Sequence, residues 1–505
     1  MGGRTEQMSD GLKAARLALA GQRAWLVGGA VRDRALGRGT LDVDVVVDGD
    51  PAAAAQAVAR AAGRAACFVL SEDFGAWRVV PRDSSWQLDL EPLRGGSLEA
   101  DLALRDFTVN AIAEPLAGGA PIDPLGGLDD LSARRLRMAG PGAFAEDPLR
   151  VLRLVRLAVE LDLEADAQAL RGAREQAGAL KGVSPERVFG ELRRIIATPR
   201  APWGLQMMSE LGATAVVLPE LEALRGVEQN RFHHRDVYGH TLEVFERTMA
   251  LTAAGAGGAR GLSAPLDDGK EDTPLDDGEE DTLLGEHRAE VASLLAEPLA
   301  DQLTRGDALR WGALLHDAAK PLTREIRPAD GRVTFIGHDV RGAELARAIL
   351  ERLRTSERLR AHVAALVRNH LRLGFLVHEP QPLSRRTVFG YLRACSPVEV
   401  DVTLLSAADR LATRGDRAKE SIDAHMRVAR GLLSDALRWR AEGPPPPLIR
   451  GDELADELGI PLGPRVGELL GELAEAQYAG ELSTREQSLV YGRSLVARGV
   501  RRPPR

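Results

Sequence analysis

One stretch limits the fold more than any other: WLVGGAVRDRALGRGTLDVDVVVDGD, residues 25–50. The apolar run Trp25–Val27 ends in Gly28–Gly29, the amphipathic segment Ala30–Leu36 follows, and a β-rich run then carries Asp42 and Asp44. Residues two apart on a strand face the same way. Both carboxylates therefore project from one face, while Val43 and Val45 turn to a core. Adjacent like charges are unfavourable unless a cation neutralises them. Phosphoryl chemistry wants such carboxylates to hold Mg²⁺ against a triphosphate and an attacking hydroxyl. The glycine pair can bring backbone N–H groups against phosphate oxygens where a helix begins. A lone DxD is common; GG, VRD, a turn and LDxD in succession is much more specific. The glycines do not spell GxGxxG, and no GKS or GKT occurs.

Downstream, residues 9–22 apart, the pattern continues in order. Residues 9–22 themselves predict a short lead helix, and Pro51–Gly63 predicts an Ala-rich helix with proline in its first turn. Cys67–Leu70, Ala76–Val80 and Trp86–Leu90 predict short strands, for a sheet of about five with helices on one side. Asp89 alternates with Leu88 and Leu90; it is either a third carboxylate near the metals or the polar face of an edge strand. In LEADLALRDFTVNAIA (98–113), Arg105, Asp106 and Asn110 interleave with Phe107, Val109 and Ile112.

From Phe144, FAEDPLRVLRLVRLAVELDL predicts a helix starting at Glu146–Pro148 with Leu149, Leu152 and Val155 on its apolar face. Arg150, Arg153 and Arg156 recur at steps of three, and Asp147 can lie beside Arg150. A carboxylate accepts from the exocyclic amine of cytosine or adenine, and a guanidinium donates to ring nitrogen or carbonyl acceptors. The pair can thus act as a base-selecting edge made of protein; helix capping with an i,i+3 ion pair would use the same residues. Ser184–Arg187 is a second capped helix start, with Arg187 read as structural or RNA-positioning.

Strand, glycine turn, helix and carboxylate strand, followed by RDFTVNA and EDPLR, resemble the polymerase β-like nucleotidyltransferases, and in particular the bacterial tRNA nucleotidyltransferase / poly(A) polymerase family. The resemblance implies Asp42 and Asp44 as catalytic metal ligands for Mg²⁺. It implies that Gly28, Gly29 and Arg32 support the triphosphate, with Asp33 as a local partner. Arg105, Asp106 and Asn110 would help seat the nucleotide sugar and phosphates. Asp147 and Arg150 would choose the base without a nucleic-acid template, with Arg153 and Arg156 in the same substrate-binding stripe. Leu104 departs from the family's usual second arginine there. Full CCA-adding members of this type have a longer flexible stretch where this chain has only Glu91–Leu104, which implies addition of the two cytidines alone.

After Asn230 a second constellation begins, and most of the ten histidines fall between 233 and 378. His240 lies in RFHHRDVYGHTLEVF, His316 and Asp317 in WGALLHDAAKP, His338 in FIGHDVRGAELA, His370 in LVRNHLRLG and Asp409 in TLLSAADRLA. A charge on an otherwise buried helix costs several kcal/mol unless it is paired or ligates a metal. The order resembles the HD phosphohydrolase superfamily. That resemblance implies His240, His316, Asp317 and Asp409 around one divalent metal, with His338 and His370 completing a second site. His233, His234, His362 and His378 are expected to be structural.

Between His240 and His316, LDDGKEDTP (266–274) is nearly repeated as LDDGEEDTL (275–283). This like-charged repeat, without apolar periodicity, predicts a disordered or solvated loop. Its net charge of −8 equals that of the whole chain, so the rest is close to neutral and RNA contact must use local arginine patches. No apolar signal core and only Cys67 and Cys395 point to a reducing, cytoplasmic setting.

The expected architecture is multidomain: a mixed α/β polymerase β-like head (1–138), an all-α neck (139–200), body helices (201–230), an HD domain (231–420) with the acidic insertion at about 253–290, and a helical RNA-binding tail (421–505). The expected function is CC addition from CTP to the 3′ end of tRNA, with a separate A-adding enzyme acting in sequence. Complete CCA addition, and A addition or poly(A) synthesis, are the alternatives. An HD phosphohydrolase with a non-catalytic RNA-binding head, or a non-catalytic RNA-binding protein, are the readings from other classes. No membrane partner is expected.

Overall fold

The computed structural model describes residues 2–39, 42–72, 75–229, 234–253, 283–414 and 418–498. The side chain of Asp42, His233, most of the acidic insertion and the RRPPR end lie outside the described residues. The chain divides into two compact units, Met1–Val217 and Leu218–Arg505.

In the first unit, helix α1 (Gly2–Ala18) precedes β1 (Ala24–Val27), α2 (Gly29–Ala35), β2 (Asp42–Val47) and α3 (Pro51–Ala61). Asp50 caps α3, its side chain accepting from Ala52 N, with Pro51 at the first helical position. β3 (Ala66–Ser71), β4 (Ala76–Val80), β5 (Gln87–Pro92), α4 (Leu98–Ala103) and β6 (Ala113–Pro115) complete the head. The sheet has six strands in the order β3-β4-β5-β2-β1-β6, one more than expected, because the three-residue β6 is too short to show periodicity. β2 runs parallel to β5 and antiparallel to β1. Val43 and Val45 are buried beneath it, as the alternation requires.

Gly126–Gly127 opens α5 (Gly127–Ser132). A Cβ on Gly127 would stand 2.1 Å from the Thr108 carbonyl oxygen, so only glycine lets these backbones approach. The neck follows as α6 (Ala143–Glu146), α7 (Arg150–Leu161), α8 (Ala167–Gln176), α9 (Pro185–Ala197) and α10 (Ala201–Glu210). The helix expected to start at Glu146–Pro148 begins at Arg150, after Asp147, which is extended (φ −145°, ψ 100°) and ends the short α6. Pro148 disfavours the helical conformation for the residue before it.

The second unit is helical. α11 (Val237–Ala253), α12 (Arg305–Leu315), α13 (His338–Arg352), α14 (Glu357–Asn369), α15 (Arg385–Cys395), α16 (Glu399–Leu411) and α17 (Ala418–Glu442) form its body, with His316 and Asp317 directly after α12 and His370 directly after α14. A tail of α18 (Gly451–Leu458), α19 (Pro464–Tyr478) and α20 (Arg485–Ala497) has its own core of Leu454, Val466, Leu469, Leu473 and Leu489. Thr484 and Gln487 form a capping box at the start of α20. Arg386 on α15 grips Glu481 with two hydrogen bonds, of 2.8 and 2.6 Å. Among the described residues no helix is long and apolar enough to cross a membrane.

Candidate active site and metal centre

The register of β2 sets the head site. Asp44 lies opposite Val27 on β1 and opposite Asp89 on β5, while Asp42 is opposite Gln87. Asp44 and Asp89 therefore share one face of the sheet, with Asp42 two residues before Asp44 on the same strand. Asp89 is already neutralised: Arg78 donates Nε and Nη2 to its two oxygens at 2.7 Å each. Gly28 has φ +69°, and a Cβ on it would stand 3.4 Å from Asp44 Oδ2 and 3.2 Å from Arg105 Nη1. The turn thus brings bare backbone, a carboxylate and a guanidinium to one point. Arg105 is steadied by Asp101 at 3.3 Å.

The remaining motif residues are wired to one another. Arg32 donates Nε to Asp33 at 2.8 Å and Nη1 to Asn110 at 2.5 Å. Asn110 Nδ2 donates to Asp106 Oδ1 at 2.9 Å, and Arg153 donates Nε and Nη2 to Asp106 Oδ2 at 2.8 and 2.5 Å. Burial raises the Asp106 pKa, but the Arg153 charge and these hydrogen bonds outweigh it and hold the carboxyl well below its usual range. The chain of contacts continues: Glu191 on α9 takes Arg156 at 2.6 Å, and Arg156 and Arg194 both reach Glu160. Glu191 was not singled out in the sequence; its only mark is its place on the buried side of α9.

Asp147 and Arg150 do not pair. Asp147 Oδ2 accepts from Arg187 at 2.6 Å, and Arg150 donates to the carbonyls of Leu104 at 2.8 Å and Ala143 at 3.0 Å. Arg150 N donates to the Asp147 carbonyl at 3.0 Å, so the two residues are close along the backbone and it is their side chains that take other partners.

In the second unit the histidines converge. His240, His316 and Asp317 form one group, and Asp317, His338 and His370 a second, with ligand atoms within 4.8 Å of one another in each. Asp409 Oδ1 lies 3.1 Å from His240 Nε2. Three rings are aimed alike: the Nδ1 atoms of His316, His338 and His370 bond the carbonyls of Ala313, Phe335 and Val367 at 2.7–2.8 Å. An Nδ1–H donated to a carbonyl leaves the Nε2 lone pair for a metal. His316 Nε2 and Asp317 Oδ2 are buried and make no hydrogen bond. Carboxylate and imidazole donors gathered at one buried point fit a divalent transition metal, with Lys320 Nζ and His316 Nε2 already 2.6 and 3.2 Å from Asp317 Oδ2.

Burial, then the neighbouring His316 and His338, push His370 down to about 4, so it is neutral and able to ligate at neutral pH. Burial lowers His316, but the Asp317 carboxylate wins and its pKa is raised. Asp317 is shared by both groups and also lies 2.6 Å from the buried Lys320 Nζ. Lys320 was missed in the sequence, where its i+3 spacing from Asp317 was the available signal. His234 faces Glu243 at 3.3 Å, His362 faces Asp401 at 3.6 Å, and His378 is exposed; none belongs to either group.

Comparison with known proteins follows this layout. Residues 24–95 and 71–137 match the model "Poly A polymerase head domain", 163–224 "Probable RNA and SrmB- binding site of polymerase A", and 284–414 "HD domain". The A-adding tRNA nucleotidyltransferase of Deinococcus radiodurans is 35% identical, covering 93% of this chain and 94% of its own. The CC-adding tRNA nucleotidyltransferase of Thermus thermophilus is 33% identical over 93% and 92%. The Multifunctional CCA protein of Xanthomonas campestris is 32% identical over 74% and 80%. Among solved structures, an apo CCA-adding enzyme superposes with TM-score 0.59 at 18% identity, over 98% of this chain and 93% of its own. By its matched domains and by relatives aligned along nearly its whole length, the chain belongs to the bacterial tRNA nucleotidyltransferase / poly(A) polymerase family and carries an HD domain.

Proposed function

We propose that the chain adds nucleotides to the 3′ end of tRNA and that ATP is among its substrates, one active site building the complete CCA end. The observation that supports this most is the recurrence of the name Multifunctional CCA protein among relatives 32–34% identical to the chain. The A-adding relative also argues against CC-only addition, the expectation drawn from the short Glu91–Leu104 segment. One observation favours a second reading, with a single nucleotide type added. The segment is a tight turn at Gly95 and Gly96 (φ +68° and +80°) followed by α4, capped by Ser97. Two relatives aligned over 93% of the chain are named for A and for CC addition.

Mg²⁺ held by Asp42 and Asp44 would neutralise the triphosphate and polarise the terminal 3′-hydroxyl. Gly28 and Gly29 would admit the phosphates against the start of α2, and Arg105 would counter their charge. Asp106, committed to Arg153 and Asn110, would act by positioning Arg32. Asp147, with Arg150 nearby on α7, would present the base-selecting edge. The HD centre would hydrolyse a phosphoester. Two cysteines, both free, fit a reducing cytoplasm.

The test is incorporation of labelled CTP and ATP, separately and together, into tRNAs ending at the discriminator base, in C and in CC. Growth from the discriminator base to CCA is the expected result. Arrest after two cytidines with refusal of ATP would restore the CC-only reading, and reaction of the CC-ended tRNA alone would establish A addition.

A further inference from the structure

The HD unit buries a second ionic cluster, at the opposite ends of the helices that bring its metal-ligand candidates together. Arg305 opens α12, His362 lies on α14, and Asp401 sits in the first turn of α16. Arg305 Nε donates to Asp401 Oδ1 at 3.0 Å and Oδ2 at 2.9 Å, and its Nη2 also meets Oδ2. The same Nη2 donates to the Pro397 carbonyl at 2.9 Å, tying down the approach to α16. His362 Nε2 stands 3.6 Å from Asp401 Oδ1 and makes no hydrogen bond. All three residues are buried. A buried ion pair is seldom a better stabiliser than apolar side chains of equal volume; its best-attested use is to specify register.

The spacing supplies that use. His362 precedes His370 by eight residues and Asp401 precedes Asp409 by eight, while Arg305 precedes His316 by eleven. At the helical rise the cluster lies about 12–16 Å below the metal ligands along the same three helices. Between the two levels α12 and α14 touch closely: a Cβ on Gly312 would stand 2.6 Å from Leu366 Cδ1. At the upper level the His316 and His370 rings are 5.3 Å apart. A slip of one residue along any of these helices would move its ligand by about 1.5 Å. Metal–ligand distances tolerate only about 0.2 Å.

We propose that Arg305, Asp401 and His362 are positioning residues for the HD centre, locking the axial register of α12, α14 and α16 so that His316, His370 and Asp409 meet. The proposal rests on the reading of the histidine–aspartate groups as a divalent-metal site. It separates the fold's stability from the alignment of its ligands. Apolar side chains could fill the same space, but they offer no fork that fixes one helix against another.

The experiment uses the full chain, stripped of metal and titrated with Co²⁺, whose visible absorption reports imidazole ligation. Melting of each metal-free variant is followed in parallel. Asp401→Asn is expected to weaken Co²⁺ binding by about tenfold or more and to change the absorption band. Nucleotide incorporation by the head should stay unchanged. Arg305→Lys, which keeps the charge and loses the fork, is expected to fall between Asp401→Asn and the parent. The double variant Arg305→Met/Asp401→Leu should melt near the parent yet still bind Co²⁺ weakly, and it carries the test if Asp401→Asn does not fold. Parent-like Co²⁺ affinity and absorption in folded Asp401→Asn, or their restoration in the double variant, would overturn the proposal. A parent chain that binds no Co²⁺ at the imidazoles would overturn the metal-centre reading, and the proposal with it.

Discussion

Gly28 combines φ +69° with a place beside Asp44 and Arg105, so any side chain there is both strained and intrusive. Gly28→Ala is expected to cut nucleotide incorporation at least about tenfold, with a loss of stability of about 1 kcal/mol. Steady-state rates and thermal melting would show it. The residue was legible because a glycine pair between a strand and a helix has few other uses. Asp106 was legible as a motif member but not in its contacts, since Arg153 lies 47 residues away and only the fold brings them together. Arg153→Met would leave the buried carboxylate short of its charge partner and is expected to cost about 3 kcal/mol. The sign of the pH effect follows. The folded pKa of Asp106 lies below its unfolded value of about 3.9, so its contribution is complete above that range and is lost as pH falls below it. Denaturant melts of the parent and Asp106→Asn should differ fully at neutral pH and converge in acid.

At the scale of elements, the alternation of β2 and the apolar stripe of α7 were readable, and both formed. What shifted was the start of α7, from Glu146–Pro148 to Arg150. Periodicity sees the apolar positions from Leu149 onward and not the extended conformation that Pro148 imposes on Asp147 before them. The consequence is chemical, because Asp147 is steered by Arg187 on α9 and Arg150 is anchored on the carbonyls of Leu104 and Ala143. The base-selecting edge proposed for these residues would depend on two helices rather than one. Arg187→Met is therefore expected to relax base choice, raising misincorporation of UTP and GTP relative to CTP and ATP by about tenfold. Competition assays on one tRNA would measure it. Unchanged selectivity would confine Arg187 to a purely structural part.

Over the whole molecule, the carboxylates of β2 lie in one compact unit and the histidine–aspartate groups in the other. The order of motifs places one set on each side of the division at Val217, since the carboxylate strand ends before residue 50 and the HD histidines begin after 230, but the expected boundary at 230 differs from it. The convergence of His240, His316, Asp317, His338 and His370 was implied by resemblance alone; no local pattern places four helices around one point. Asp317→Asn, which alters the carboxylate common to both groups, is expected to abolish Co²⁺ binding at the HD centre while leaving nucleotide incorporation within about twofold. The central claim is that the carboxylates of β2 drive nucleotidyl transfer. It is tested most directly by Mg²⁺-dependent incorporation of labelled CTP and ATP into CCA-lacking tRNA by the parent and by Asp42→Ala and Asp44→Ala. The account predicts incorporation by the parent and, in each folded variant, a loss of at least about a thousandfold. Incorporation by either variant at the parental rate would contradict it.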